Sequence, residues 1–465
     1  MSASDARPGL SWSGTVDYGP GPLHTPRTVE ELQQVVARAE RIRALGTRHS
    51  FSRVAASDAD LVSLAGLPEE IEVDTAARTV RVAAGVRYGT LALELARHGL
   101  ALANTGSLPH ISVAGASATG THGSGDRNQA LAASVRRVEL VTASGDLLTL
   151  DRRVDADVFG GAVLALGALG VATHLTFDLV PAFDVRQRVY LELPAEEFGG
   201  AGLDAVLASA YSVSVFHHWD GTGAQIWVKQ AVLEGDPGVV AGYPAVLAEA
   251  QSGHAVAAEP AGAVGIGRPD HALPVDADAP FPGTWHGARL AAGAVHPLPG
   301  LPGDFCTDQT GTPGPSHERL PHFRLEFTPS SGEEIQSEYY VPRAQIADAL
   351  AAVMPLGERI RPLLHASEVR TVAADDLWLS PAHDRDSALV HFTWKQRPAE
   401  VEALLPEVEA ALAPFSPRPH WGKVFTMPTE EVRAHYPRLA DFRSLAERLD
   451  PGRKFRNEYV ETYLF

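Results

Sequence analysis

Gly46-Thr47-Arg48-His49-Ser50 is the first of two stretches that decide the fold, and the second is Ser107-Leu108-Pro109-His110-Ile111-Ser112-Val113-Ala114-Gly115-Ala116-Ser117-Ala118-Thr119-Gly120-Thr121-His122-Gly123. Glycine, serine and threonine at this density remove side-chain bulk and supply N–H and hydroxyl donors. Bare backbone of this kind suits a pyrophosphate or the edge of a flavin or nucleotide ring. Each stretch also contains histidine. The pattern predicts loops that bind a large polar cofactor.

The residues around the first stretch predict a helix followed by a strand. The capping box Thr28-Val29-Glu30-Glu31 begins an amphipathic pattern that predicts a helix over 29–40. A strand over 41–45 follows and leads into Gly46, which places His49 on a loop directly after a strand, where ligands commonly bind. Further patterns predict a hairpin over 70–74 and 79–82 and a helix over 88–98. They also predict three strands, over 138–142, 147–150 and 171–179.

The second half of the chain has a different sequence pattern. Longer alternating segments predict an antiparallel sheet, with strands over 189–193, 225–229, 335–341, 368–372 and 388–394. Between them, residues from about 235 to 291 are rich in alanine, glycine and proline, which predicts an inserted, partly mobile segment.

The composition restricts the partners of the protein. The chain has 465 residues, 45% apolar and 21% charged, and a formal net charge of −18. That charge argues against nucleic acid or an anionic membrane as the main partner. The N-terminal residues do not resemble a signal peptide and no apolar run is long enough to span a bilayer, so we expect a cytoplasmic protein. The single cysteine, Cys306, is expected to be an inert packed thiol.

Polar residues at alternate positions mark two of the predicted strands. Glu368 and Arg370 point to one face of their strand, and His391 and Thr393 repeat that geometry. If the two strands are neighbours, one sheet face carries a carboxylate, a guanidinium, an imidazole and a hydroxyl, which together bind several substrate hydroxyls. The alternative is a surface salt bridge with exposed polar residues.

The segment Pro419-His420-Trp421-Gly422-Lys423 supplies a lysine that provides either positive charge or a proton-transfer group, with a solvated turn as the alternative. The loop residues His110 and His122 are expected to serve structure. No coherent ligand set emerges from the 19 histidines, so we predict no catalytic metal. The glycines at 120, 123 and 125 have the wrong spacing for a dinucleotide turn, and the serine-hydrolase elbow is missing.

These motifs resemble a known family. The segments 46–52, 107–115, 119–125 and 420–423 look like the vanillyl-alcohol-oxidase-type FAD proteins, a likeness shared with sugar-lactone oxidases. Within that group, Glu368-Val369-Arg370-Thr371-Val372-Ala373-Ala374-Asp375-Asp376-Leu377-Trp378-Leu379-Ser380-Pro381 and His391-Phe392-Thr393-Trp394 resemble the alditol oxidases. The likeness covers nearly the whole chain, although the 235–291 segment is longer than the family pattern.

The resemblance implies an α+β fold in which a two-part FAD-binding domain carries a cap domain built on a large antiparallel sheet. The corresponding division is a FAD-binding domain at 1–181, a substrate-binding cap at 182–418, and a C-terminal return to the FAD-binding domain at 419–465. We expect a monomer.

The resemblance also implies roles for individual residues. His49 matches the histidine that carries FAD covalently. The matching cofactor-binding residues are Ala44, Leu45, Gly46, Thr47, Arg48, His49, Ser50, Gly106, Ser107, Ser112, Gly115, Thr119, Gly120, Thr121, His122, Val171 and His420. The residues that match substrate-binding positions are Ser107, Glu368, Arg370, Thr393 and Lys423, and the implied catalytic set is Lys423, Arg370, Glu368 and His391.

The implied reaction oxidises the terminal hydroxyl of a polyol such as xylitol or sorbitol to the aldehyde, with hydride transfer to flavin N5 and reduction of O2 to H2O2. Two other hypotheses stay open at this point. One is a sugar-1,4-lactone oxidase or dehydrogenase of the same flavoprotein family, and the other is a non-catalytic polyol-binding protein on the same scaffold.

Overall fold

The computed structural model describes residues 8–221, 223–232, 280–326 and 333–465. In this part of the chain, a five-stranded antiparallel sheet forms the core of the N-terminal region. Its strands lie in the order Ile71–Asp74, Thr79–Ala83, Val171–Asp178, Val135–Val141 and Leu147–Asp151. The predicted hairpin and the three predicted strands are therefore confirmed.

A small parallel sheet precedes the five-stranded sheet and carries the first cofactor-like loop. It has the order Leu23–His24, Asp60–Val62 and Ile42–Ala44. The helix Val29–Arg38 begins at Thr28, whose Oγ1 accepts a hydrogen bond from the Glu31 N–H at 3.2 Å. Its apolar stripe, Leu32 and Val36, is fully buried against this region. The predicted helix is confirmed and ends two residues earlier than the pattern suggested.

The other regular elements are mostly short. The remaining α-helices in the described ranges are Tyr88–Arg97, Val113–Thr119, Ala156–Ala162, Gly200–Leu207, Ser316–Arg319, Ile346–Val353, Gly357–Ile360, Pro398–Leu412, Thr429–Ala434, Leu439–Leu449 and Glu458–Leu464. Single 3₁₀ turns occur at Leu64–Gly66, Leu131–Ser134, Gly303–Phe305, Arg343–Gln345, Met354–Leu356, Arg361–Leu363 and Ala413–Phe415. A two-stranded pair joins Leu100–Ala101 to Val180–Pro181.

The second large element is an antiparallel sheet that contains ten strands in the described residues. Its order is Thr284–Trp285, Ala288–Leu290, Asp184–Leu193, Ala224–Val232, Ser212–His217, Leu364–Val372, Ser387–Lys395, Glu334–Pro342 and Arg418–Pro419, with Gly314–Pro315 paired to Asp184–Leu193. All five strands predicted for the second half are confirmed. The α+β fold with a large antiparallel sheet is confirmed as well.

Alternation along the strands gives this sheet two different faces. Val341, Val369 and Val390 are fully buried in the main apolar core. The helices Ile346–Val353 and Pro398–Leu412 contribute apolar residues to the same core. Because successive side chains point to opposite faces, the polar residues between these valines lie on the other side of the sheet.

One part of the small-residue run differs from the sequence prediction. We expected residues 112–122 to be a loop, but Val113–Thr119 is a helix. Alanine is the best helix former, and the stretch contains three alanines that outweigh its single internal glycine. Gly120 ends the helix with a φ of 78°, a left-handed conformation that favours glycine.

The predicted insertion falls largely outside the described residues, since 233–279 are not among them. Its final part, 280–291, contains the edge strand Thr284–Trp285 and its neighbour Ala288–Leu290.

The C-terminal tail packs on the N-terminal region. Asn457 donates side-chain hydrogen bonds to three carbonyls of residues 53–56, and Arg43 donates to the Phe455 carbonyl at 2.6 Å. The division 1–181, 182–418 and 419–465 stays a proposal, which these contacts and the separate sheets support.

Candidate active site

A cavity of about 570 Å³ lies between the N-terminal region and the large sheet. One side is formed by the segments 44–50 and 106–122, most of whose residues line the cavity, and we name it the small-residue wall. The other side, the charged wall, is the polar face of the strands Glu334–Pro342, Leu364–Val372 and Ser387–Lys395 together with Lys423. The two stretches that the sequence singled out and the two polar strands therefore border the same space.

Glycines and other small residues allow the segments of the small-residue wall to pack closely. Ser112 N–H donates to Thr47 Oγ1 at 3.2 Å, which joins the first loop to the helix Val113–Thr119. A Cβ atom on Gly115 would lie 2.9 Å from Ser112 Oγ, and one on Gly46 would lie 3.2 Å from the same atom. A side chain at either position would press on the Ser112 hydroxyl, and the two glycines leave bare backbone along the cavity.

Most of the predicted cofactor-binding residues border the cavity. They are Ala44, Leu45, Gly46, Thr47, Arg48, His49, Ser50, Gly106, Ser107, Ser112, Gly115, Thr119, Thr121, His122 and His420. Gly120 and Val171 are not among the lining residues. Gly120 ends the helix, and Val171 is buried in an apolar cluster with Leu32 and Ile42.

His49 is held in the small-residue wall in a neutral form. Its ring stacks on Trp12 with the centroids 5.7 Å apart. Burial, helped by the charges of His110 and Arg87, lowers the pKa of His49 to about 4, so the ring carries no charge at neutral pH. Its Nδ1 atom is buried and has no hydrogen-bond partner within the described structure. A neutral histidine with an unpaired ring nitrogen, on the border of a cavity of this size, fits a site that binds FAD.

The charged wall confirms that the two polar strands are neighbours. Glu368 lies directly opposite His391 in the register of Leu364–Val372 and Ser387–Lys395. Arg370 Nε lies 3.4 Å from Glu368 Oε2, and both residues are at most 6% exposed. The alternative of a surface salt bridge is therefore wrong. Lys423, His391 and Thr393 line the same cavity.

Sequence analysis missed Glu338, which is the centre of the charged wall. Glu338 Oε1 accepts from Arg370 Nη2 at 2.9 Å, and Oε2 accepts from Lys423 Nζ at 2.5 Å. His122 Nε2 lies 3.3 Å from Oε2. The signal was present in the alternation of Glu334, Gln336 and Glu338 along one predicted strand.

The charges of this wall balance. Burial alone would raise the pKa of Glu338, but Lys423, His122 and Arg370 hold it well below its usual range. Burial raises the pKa of Glu368, against the effect of Arg370, and burial lowers the pKa of Lys423, against the effect of Glu338. Two carboxylates facing two cations explain how four ionisable side chains are buried together.

The histidines of the wall are neutral. His391 Nε2 lies 3.2 Å from Gln336 Oε1, and burial with the charge of Lys423 keeps the pKa of His391 well below its ordinary value. His122, Glu338 and His420 each place one ligand-type atom within 4.8 Å of the others. Because both oxygens of Glu338 already accept hydrogen bonds from cations, a metal ion there would meet positive charge. The absence of a catalytic metal stays a prediction.

Two further segments complete the site. His420 and Trp421 are buried, and Trp421 Nε1 donates to the Leu379 carbonyl at 2.7 Å, so the alternative of a solvated turn at 419–423 is wrong. On the opposite side, Ser107 Oγ lies 2.7 Å from His322 Nδ1. His322 was also missed, because no motif surrounds it in the sequence.

Comparison with known proteins agrees with this geometry. A family model described as "FAD binding domain" matches residues 20–151, and one described as "D-arabinono-1,4-lactone oxidase" matches residues 331–463. The chain is 48% identical to an alditol oxidase from Streptomyces sp., over 98% of each chain. It is 27% identical to an L-gulono-1,4-lactone dehydrogenase from Mycobacterium tuberculosis, also over 98% of each. Cholesterol oxidase from B. sterolicum shares the fold, with a TM-score of 0.72, 16% identity and coverage of 100% of this chain and 97% of that one.

The fold and the small-residue wall define an FAD-dependent oxidase of the vanillyl-alcohol-oxidase type. The chain belongs to the alditol oxidase family, and the resemblance stated from the sequence is confirmed. Among its described helices, none combines the length and the apolar character needed to cross a membrane.

Proposed function

We propose that the protein oxidises the terminal hydroxyl of polyols such as xylitol or sorbitol to the aldehyde. The alcohol loses two electrons and two protons, and O2 takes them up to form H2O2. The observation that carries the proposal is the charged wall, in which Glu368, Arg370, Thr393 and Lys423 offer several donors and acceptors to one cavity. A polyol presents hydroxyls along its whole length and so matches a wall of this kind. The 48% identity to an alditol oxidase supports the same conclusion.

The small-residue wall holds the FAD, and we propose that His49 carries it covalently. Support comes from the neutral ring, its unpaired Nδ1 and its place on the cavity. The bare backbone of 44–50 and 106–122 contributes N–H and hydroxyl donors around it. When bound, FAD supplies the two-electron acceptor that takes a hydride from the substrate carbon and is reoxidised by O2.

The charged wall binds and activates the alcohol. Ser107, Glu368 and Thr393 hold substrate hydroxyls, and the paired cations Arg370 and Lys423 stabilise negative charge that develops on the reacting oxygen. His391 lines the cavity and its Nδ1 atom is buried without a hydrogen-bond partner, so this residue accepts the proton of the alcohol. Its lowered pKa keeps the ring neutral and able to accept a proton, and the two cations increase the acidity of the hydroxyl.

A substrate panel with an oxygen electrode and an H2O2 assay tests the proposal. We expect xylitol and sorbitol to be oxidised with a kcat/KM well above that of L-gulono-1,4-lactone. A lactone oxidase or dehydrogenase is the second candidate, because the C-terminal part of the chain matches the D-arabinono-1,4-lactone oxidase model. Turnover of lactones alone, or of polyols only with an acceptor other than O2, would overturn the first choice. The monomeric state and the cytoplasmic location stay predictions of the sequence.

A further inference from the structure

His322 belongs to the cavity but to none of the motifs of the sequence. It lines the same space as Glu368 and Ser107. Its Nδ1 atom is hydrogen-bonded to Ser107 Oγ at 2.7 Å. Its Nε2 atom lies 4.0 Å from Glu368 Oε1, and both atoms are buried without a hydrogen-bond partner. A buried donor or acceptor that lacks a partner is costly, so this pair is arranged for a group that arrives from the cavity.

The distance between the two atoms suits a single bridging oxygen. At 4.0 Å they are too far apart for a direct hydrogen bond. An oxygen that makes hydrogen bonds of about 2.8 Å to both atoms would join them at an angle of about 90°. The spacing of the two atoms therefore matches one hydroxyl oxygen held between an imidazole and a carboxylate.

The surroundings hold the imidazole in place. Its ring meets Phe216 and Trp227 edge to face, with centroids 5.6 and 5.1 Å away. The buried Lys229 Nζ donates to the Leu320 carbonyl at 2.5 Å, and Thr307 N–H donates to the His322 carbonyl at 3.0 Å. The ring and its backbone are thus fixed before the substrate enters.

The protonation of the ring follows from its neighbours. Burial, with the charges of Lys229 and Arg370, lowers the pKa of His322 well below its ordinary value, so the ring is neutral and has one N–H. If Ser107 donates to Nδ1, the N–H lies on Nε2 and faces the carboxylate. The opposite tautomer would place a lone pair against Glu368, which is less favourable.

We propose that His322 Nε2 and Glu368 Oε1 together bind one hydroxyl of the polyol, which makes His322 a specificity-determining residue. A hydroxyl accepts from the Nε2–H and donates to the carboxylate at the same time. A carbonyl, as in a lactone, only accepts and leaves Glu368 without a partner. The pair therefore favours alcohols over carbonyl groups at this position. This inference rests on the proposed oxidation of polyols.

The test compares two variants of the FAD-loaded protein. His322→Asn keeps an amide near Ser107 but is too short to reach Glu368, whereas His322→Gln places an N–H near the original Nε2. We expect His322→Asn to lower kcat/KM for sorbitol about tenfold, and His322→Gln to restore most of that loss. His217→Asn removes another buried histidine, outside the cavity lining, and controls for a general loss of packing.

Deoxy analogues of sorbitol, each lacking one hydroxyl, separate recognition from a structural effect. For the analogue that lacks the bound hydroxyl, we expect equal kcat/KM values in wild type and His322→Asn. A loss of the same factor for every analogue, or no loss for sorbitol, overturns the inference while leaving the proposed function intact. If the wild type oxidises no polyol at all, the proposed function fails and this inference fails with it.

Discussion

The small-residue wall takes its residues from one loop and one run that are each continuous in sequence, whereas the charged wall gathers side chains from residues 338, 368, 391 and 423. The first wall presents exposed backbone, because Gly46 and Gly115 have no side chains and allow close packing. The second wall presents charged side chains that are buried together as ion pairs. Changes in the first wall should therefore affect cofactor binding, and changes in the second should affect turnover.

The largest effect is expected from Glu338→Gln. This change leaves Arg370 and Lys423 buried without their shared carboxylate, and breaking a buried pair costs about 3–5 kcal/mol. We expect kcat/KM for xylitol to fall by about a thousandfold and the melting temperature to drop, measured by oxygen consumption and thermal unfolding.

Glu409→Gln is the matched control for Glu338→Gln. Glu409 is another buried glutamate, and it does not line the cavity. Its Oε1 accepts a 2.7 Å hydrogen bond from Tyr339 Oη. It should lower stability with little change in kcat/KM of the folded enzyme. Wild-type turnover in Glu338→Gln would show that the charged wall does not depend on this carboxylate.

The next effect concerns the strand that carries Arg370. Arg370→Ala should reduce kcat/KM by about a hundredfold to a thousandfold, because it removes a fixed donor to the reacting oxygen. The flavin absorbance per protein should stay at the wild-type level. Thr371→Val alters the opposite face of the same strand and should leave turnover unchanged. Equal kinetics in both variants would mean that the polar face is misassigned.

Glu368 supplies a pH test of the same strand. Burial raises its pKa, so the carboxylate is lost at a higher pH than in an ordinary glutamate as the solution becomes acidic. We expect an acid limb in the pH profile of kcat/KM that is displaced upward for this reason. In Glu368→Gln, that limb should vanish and the remaining activity should be low across the profile. Persistence of the limb would assign it to another group.

A change in the small-residue wall should act on the cofactor linkage. After acid precipitation, we expect the yellow colour to stay in the pellet for the wild type and to leave it for His49→Ala. His110→Ala removes a nearby histidine and should keep the colour in the pellet. Activity should fall by about tenfold in His49→Ala, since covalent attachment makes the cofactor more oxidising. Colour that leaves the wild-type pellet would exclude a covalent link.

The smallest effect is expected for Thr393→Val, which removes one neutral hydroxyl from the charged wall. A single hydrogen bond contributes about 0.5–1.5 kcal/mol, so KM for xylitol should rise by roughly twofold to tenfold with kcat nearly constant. Initial-rate measurements over a range of xylitol concentrations check this. A drop in kcat alone would place Thr393 in the chemical step and not in substrate binding.

Local patterns predicted much of the fold. The capped helix at Thr28, the hairpin around residues 74–79 and the five strands of the large sheet all formed near the expected positions. The helix Val113–Thr119 was missed because serine and glycine obscured its alanine content. Motif resemblance also placed His49, Glu368 and Lys423 on one cavity.

Glu338 and His322 show the limit of that approach. Glu338 lies 32 residues before Arg370 and 85 before Lys423, and no local rule joins residues so far apart. Its role depends on which strands pair, since Glu334–Pro342 and Leu364–Val372 both flank Ser387–Lys395. His322 contacts Ser107, which lies 215 residues earlier in the sequence. Such contacts follow from strand register and cap packing, which short-range periodicity does not encode.

The sequence by itself indicated a large polar cofactor, one capped helix and the strands of the two main sheets, because density of small residues and alternation are local properties. The resemblance to a known family added the flavin and the polyol. Only the tertiary structure decided which charges neutralise one another. Burial makes isolated charges costly, so Glu338, Arg370 and Lys423 are stable only as a set that three separate segments bring together. The charged wall thus depends on long-range packing, and the small-residue wall on short-range sequence.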